Sequence, residues 1–177
     1  MSELSTLALA RPDDAREIAE MSRDMIEQGL PWSWTTARVQ HFIMASESSV
    51  VVARRDRRGG GSQRNPRFSN GRHGDARHGI DAFAIMQFSA DVGHLNLLAV
   101  APEHRRQGLG RQLMDWLILT CIEAGVFRVN LELRTQNEQA RAFYEKMGFA
   151  ALDVVQGYYQ GREAALRMSL RLAKNQC

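Results

Sequence analysis

The chain has 177 residues, 44% of them hydrophobic, which suits one domain with a core of ordinary size. No run of about 18 apolar residues occurs, which excludes a membrane-spanning helix, and the acidic start lacks the basic region and apolar core of a signal peptide. Cys121 and Cys177 sit in no CxxC and imply neither a disulfide framework nor a zinc site, so the expectation is a cytoplasmic protein with no metal.

The net charge of +3 is unevenly placed: residues 54–79 carry 8 Arg against 2 Asp, and the remainder sums to −3. Leu4 to Leu9 is short and apolar-rich, ends at Arg11-Pro12, and reads as a strand. Asp13 or Asp14 can cap a first helix, in which Ala15, Ile18, Ala19, Ser22, Met25 and Ile26 recur at helical spacing until Gly29. Leu30-Pro31-Trp32-Ser33-Trp34 is an apolar loop. Thr35 or Thr36 can cap a second helix whose inner face holds Val39, Phe42 and Ile43. Ser49 to Ala53 is a β-branched strand.

Arg54 to Gly79 breaks this pattern, with six Gly and Phe68 as its one large apolar residue. Such a segment buries too little to offset its chain entropy, so it reads as a flexible insertion in a β-hairpin. Strand signals resume over Ile80–Phe88 and His94–Val100. A long helix follows, with Leu109, Leu113, Trp116, Leu117, Thr120 and Cys121 on one face, closing near Gly125; Cys121 is expected as a buried thiol. Arg128 to Arg134 is a strand, Asn137 to Met147 a helix closed by Gly148, and Phe149–Val155 and Ala164–Leu172 are two last strands. The order β-α-α-β-β-β-α-β-α-β-β gives an α/β sandwich, helices on both faces of a mixed sheet.

Chemistry concentrates between the strand ending at Val100 and the helix beginning at Leu109. In Arg105-Arg106-Gln107-Gly108-Leu109-Gly110, two glycines let the backbone approach a ligand. Successive N–H groups at the helix start can converge on phosphate oxygens with help from the helix dipole. The segment lacks the Gly-Lys-Ser/Thr of a triphosphate loop and the third Gly of a dinucleotide fingerprint.

Val100-x-Pro102, Arg105-Arg106-x-Gly108-x-Gly110, Asn137 and Ala142-Phe143-Tyr144-Glu145-Lys146-x-Gly148-Phe149 occur in that order over about fifty residues. This stretch resembles the GNAT superfamily of acetyl-CoA-dependent N-acyltransferases. Within it, Leu131-Glu132-Leu133-Arg134-x-x-Asn137, Gly157-Tyr158-Tyr159 with Gly161-Arg162-Glu163, and Pro31-Trp32-Ser33-Trp34 are similar to the RimI family of bacterial protein N-terminal acetyltransferases, which act on a ribosomal-protein alanine. The C-terminal hairpin looks a few residues shorter than that family's, and the Arg/Gly insertion is not part of its pattern. The resemblance implies a GNAT-like fold: a central mixed, twisted sheet of about seven strands flanked by about four helices. The whole of 1–177 would be one N-acetyltransferase domain carrying the insertion at 54–79.

The resemblance also implies roles. Gly108 and Gly110, with the amides of Gln107 and Leu109, would bind the CoA pyrophosphate, supported by Arg105 or Arg106. Backbone groups of Leu98, Ala99 and Val100 would hold the pantetheine arm, with an N–H polarising the thioester carbonyl. Asn137 would hydrogen-bond the pantetheine, cap its helix, or do both. Tyr144 would protonate the departing thiolate, or simply be a core aromatic.

Glu132 is the first choice of general base. Val129, Leu131 and Leu133 alternate with Asn130, Glu132 and Arg134, and a polar face on a central strand calls for an open cleft or an ion pair to Arg134. His94, read on the same strand face as Asn96 and Leu98, is the rival base. Tyr158 and Tyr159 would line the acceptor entrance, with Trp32 and Trp34 as an opposite wall or as core.

The reaction so implied is transfer from acetyl-CoA to a primary amine by direct attack, with a protein or peptide N-terminus as acceptor. The alternative acceptor is a small amine such as a polyamine, amino acid or aminoglycoside. Two other classes stay open: an RNA- or ribosome-binding module using residues 54–79, and a non-catalytic CoA sensor. Monomer and homodimer are both compatible with the sequence.

Overall fold

The computed structural model describes residues 5–55 and 79–172. Seven strands and four helices occur in the expected order: β1 (Ser5–Leu9), α1 (Ala15–Met25), α2 (Thr36–Met44), β2 (Ser48–Arg55), β3 (Ile80–Ser89), β4 (Val92–Val100), α3 (Leu109–Glu123), β5 (Arg128–Arg134), α4 (Glu138–Lys146), β6 (Ala150–Tyr159) and β7 (Glu163–Arg171). Two single 3-10 turns, Pro12–Asp14 and Pro102–His104, were not expected; each is started by a proline, whose fixed φ suits a first helical position. The strands form one sheet in the order β1-β2-β3-β4-β5-β7-β6. Only β4 and β5 run parallel.

Helices cover both faces because the strands are apolar on both. On one face Ala15, Ile18 and Ala19 of α1 and Val39 of α2 pack on Val50, Val52, Phe83, Ile85, Leu97 and Ala99. On the other, Leu109, Leu113, Met114, Leu117 and Cys121 of α3 and Tyr144 of α4 pack on Val51, Ala84, Met86, Val129, Leu131 and Met168. Met114 takes a buried place on α3 where Trp116 and Thr120 were expected; those two are only half-buried. Thr35 caps α2 by accepting from the Arg38 N–H, and Asn137 caps α4 by accepting from the Ala140 N–H at 3.1 Å.

Strands β2 and β3 pair antiparallel, so the hairpin reading of the basic segment holds at its base. Its boundary needs correction: β2 continues through Arg54 and Arg55, with Arg54 opposite Ile80 and ion-paired to Asp14. Residues 56–78, the bulk of the expected insertion, lie outside the described residues.

The feature that positions the site is in β4. Its register with β3 runs Ile85 to Leu97 and then Met86 to Leu95, so Asn96 is an extra residue, a β-bulge. A bulge swaps the two faces. Leu95 packs on the α3 side, whereas Leu97 and Ala99 pack on the α1–α2 side and Leu98 and Val100 face α3. His94 and Leu98 therefore lie on opposite faces, against the expectation of a shared one. The β4–β5 ladder extends from Val92–Arg128 to Leu95–Leu131 and stops there. Beyond it the two strands are not paired with each other over residues 96–100 and 132–134, an opening in the middle of the sheet.

Candidate active site

Three groups of expected residues surround this cleft. The first is the turn entering α3. Gly108 stands at φ +84° and Arg106 at +62°, both left-handed, which turns the chain sharply into the helix. The first backbone bond of α3 is the Gln112 N–H to the Gly108 carbonyl at 3.0 Å, so the amides of Leu109, Gly110 and Arg111 have no helical acceptor. A ring of outward N–H groups at a helix start fits an anion. Arg105, Arg106, Gln107 and Gly108 are all exposed there. Arg105 also donates from Nε to the Val100 carbonyl at 3.1 Å, tying the turn to the end of β4. Gly110 differs from the expected reason for its presence. A Cβ there would point inward, meeting Phe143 Cζ at 3.5 Å and Val100 Cγ2 at 3.6 Å.

A device not seen in the sequence holds the preceding turn. His104 Nε2 lies 3.0 Å from Asp81 Oδ1, linking Pro102–His104 to the start of β3, and the Ala101 N–H donates to the Asp81 carbonyl at 2.8 Å.

The second group lies on the α3–α4 face. Tyr144 is buried between the Phe143 and Phe149 rings, and burial pushes its phenol well above the ordinary value. Asn137, at the start of the same helix, spends its Oδ1 on the Ala140 N–H.

The third group lies on the opposite face, where an open depression of about 120 Å³ is lined by His94, Asn130, Leu131, Glu132, Leu152, Arg167 and Met168. Glu132 and His94, expected as rivals, touch: His94 Nε2 is 3.0 Å from Glu132 Oε2. They meet because the parallel ladder sets His94 beside Asn130, two residues before Glu132, so the His94 and Glu132 side chains leave on the same face. Burial first, then the nearby Glu132 charge, raises the Tyr158 phenol. Burial pushes Tyr159 up to about 12. Arg167 faces Glu132 across the β5–β7 ladder and is forked onto Asp153, with Nε to Oδ1 at 2.7 Å. Asn130 accepts from the Ser169 hydroxyl at 2.8 Å.

The alternative reading, an ion pair between Glu132 and Arg134, does not occur; Arg134 Nε lies 3.6 Å from Glu163 Oε2 instead. The tryptophans divide. Trp34 is 7% exposed, packs on Phe42 at 4.9 Å and carries Arg38 over its ring, so it is core rather than wall. Trp32 is 40% exposed. Asn130 lies on the polar face of β5 where the alternation puts it, whereas Arg167 and Leu152 escaped the sequence reading. The signal for Arg167 was the polar alternation of β7, whose Ala165, Arg167 and Ser169 face the same way as the polar side of β5.

The parallel β4–β5 pairing that stops at Leu95–Leu131, the glycine turn with its unpaired helix-start amides, and the His94–Glu132 pair are the features that the comparisons with known proteins bear on. The model of the acetyltransferase (GNAT) family matches residues 20–149, and the chain belongs to that family. The family is the one that the motifs at 105–110 and 142–149 resemble. The chain is similar to the [ribosomal protein bS18]-alanine N-acetyltransferase of Escherichia coli strain K12, at 41% identity over 95 residues, which is 52% of this chain and 64% of that protein. The match thus spans less than two thirds of that relative. The N-terminal acetyltransferase B complex catalytic subunit NAA20 of Arabidopsis thaliana is 38% identical over 85 residues, 47% of this chain and 48% of that protein. The crystal structure of the Escherichia coli ribosomal-protein-S18-alanine N-acetyltransferase superposes with a TM-score of 0.69 at 26% identity, covering 98% of this chain and 99% of that one.

Proposed function

We propose that this chain transfers an acetyl group from acetyl-CoA to the N-terminal amine of a protein or peptide. The observation that carries the reading is the cleft between the parted ends of β4 and β5, with a glycine turn at one end and the His94–Glu132 pair at the other. The names of the relatives support the protein N-terminus over a small amine.

When bound, acetyl-CoA supplies an acyl carbon activated as a thioester. The amides of Gln107, Gly108, Leu109 and Gly110 hold the pyrophosphate at the helix start, with Arg105 and Arg106 adding positive charge. Main-chain groups of Leu98, Ala99 and Val100 hold the pantetheine arm, and an N–H there steadies the carbonyl oxygen as charge grows on it. The Asn137 amide nitrogen, left over from capping, can donate to the same arm.

An acceptor ammonium must lose a proton before it attacks. The Glu132 carboxylate draws it in, and the His94–Glu132 pair takes the proton, directly or through water. The amine nitrogen bonds to the acyl carbon, the carbon–sulfur bond breaks, and Tyr144 gives its proton to the leaving thiolate. Burial keeps that phenol protonated through the working range.

An acceptor panel tests this reading. Peptides with a free α-amine should be acetylated in preference to polyamines, amino acids and aminoglycosides. Activity confined to the small amines would overturn it.

A further inference from the structure

Two loops lie on the Glu132 side of the cleft, and one side chain reaches the first and the strand ends that flank the second. The first joins α1 to α2 over residues 26–35. The second is the turn at 160–162 that joins β6 to β7, beside Tyr158 and Tyr159. Arg134 is the last residue of β5 and shares the face of Glu132. Its Nη2 donates to the Gln28 carbonyl at 2.7 Å and lies 3.4 Å from the Ile26 carbonyl. Its Nε is 3.6 Å from Glu163 Oε2, and its guanidinium sits 5.8 Å from the Tyr159 ring centroid.

The first loop is gripped from its other side as well. Glu27, buried between Ile26 and Gln28, accepts from the Ser33 N–H at 2.8 Å, the Ser33 hydroxyl at 2.5 Å, the Trp34 N–H at 3.2 Å and the Ser22 hydroxyl at 3.3 Å. The carboxylate closes the loop on itself, while the flanking carbonyls turn outward to Arg134. The loop is therefore a preformed unit, and Arg134 is what attaches it to the catalytic strand and to the hairpin opposite.

We propose that Arg134 is a positioning residue that couples the α1–α2 loop to the β6–β7 hairpin and so fixes the acceptor entrance beside Glu132. The entrance assignment rests on the acetyl-transfer reading above; the coupling itself does not. A planar fork is required, because it addresses carbonyls on one side and a carboxylate on the other at once. A lysine ammonium on a flexible stem satisfies one side only.

The test combines hydrogen exchange with kinetics on the full chain. Wild type, Arg134→Lys, Glu163→Gln and the double variant are compared at the amides of Leu30, Ser33 and Trp34 in one loop and of Gly161 and Arg162 in the other. Arg134→Lys should speed exchange in both loops by about tenfold, the scale of losing a charged hydrogen bond. Glu163→Gln should speed exchange in the α1–α2 loop, which it does not touch, and should add nothing there once Arg134 is Lys. With a peptide acceptor, Arg134→Lys should raise the acceptor KM by about tenfold while kcat and the acetyl-CoA KM hold. Faster exchange in one loop alone, or no effect of Glu163→Gln across the cleft, overturns the coupling. Coupled exchange with an unchanged acceptor KM overturns the entrance assignment. A wild type that acetylates no peptide overturns the acetyl-transfer reading instead, and the exchange data then decide the coupling by themselves.

Discussion

Glu132 is paired with His94, whose Nε2 lies 3.0 Å from its Oε2. Groups bound this closely act as a unit, so their removal is not additive. His94→Gln and Glu132→Gln should each lower kcat/KM by roughly 10²-fold, and the double variant should be little worse than either. Multiplied losses in the double variant would mean that the two act separately. Tyr144→Phe should slow turnover by roughly tenfold without unfolding, since a thiolate leaves fairly well unaided. Because burial holds its phenol above the ordinary value of 10.0, Tyr144 should cause no alkaline fall in kcat below that pH. An alkaline limb below pH 10 that disappears in Tyr144→Phe would contradict the assignment. Cys121 is a residue-scale check on the core. Burial pushes its thiol up to about 11, so the reactive thiolate is scarce below that pH, and iodoacetamide at pH 8 should leave Cys121 unlabelled in the native protein and label it on unfolding.

At the scale of elements, the site depends on how two strands end and one helix begins. Gly108 sits at φ +84°. An alanine there should cost about 1 kcal/mol of backbone strain and weaken acetyl-CoA binding by disturbing the amides. Gly110→Ala should be tolerated, because its Cβ would meet Phe143 and Val100 at ordinary contact distance. Calorimetric titration with acetyl-CoA separates the two; equal losses would mean that the ligand also needs Gly110 to lack a side chain. Much of this level was legible beforehand. Strand β5 runs Arg128–Arg134 as its alternation demands, and Asn137 caps α4 as its place before Ala140 suggests. The β4 bulge was not legible. Gly93, Leu95, Leu97 and Ala99 are all buried, so the strand keeps its alternation through Asn96 while its faces exchange. In a sheet covered on both sides, apolar pattern cannot register which cover a residue meets. The partners of Arg134 and Glu27 were hidden for a different reason. Both bind main-chain groups of a loop, and sequence spacing carries no trace of those contacts.

For the whole molecule, charge and architecture separate cleanly. The basic excess belongs to residues 54–79, and the rest of the chain sums to −3. Since Arg54 and Ile80 are already partners across the hairpin, replacing residues 56–78 with a short glycine turn should preserve the fold, acetyl-CoA binding and acetylation. A loss of acetyl transfer on that replacement would place the segment in the enzyme's own work, and a loss confined to RNA affinity would mark a second, separate function. The central claim concerns the acceptor. It is tested most directly by giving the full chain acetyl-CoA and, in one tube, a peptide with a free α-amine and an internal lysine together with a polyamine. The acetylated positions are then mapped by mass spectrometry. Acetyl is expected on the peptide α-amine, matched by CoA thiol released, with the lysine and polyamine largely unmodified. Acetyl on the polyamine or the lysine with a bare α-amine would contradict it.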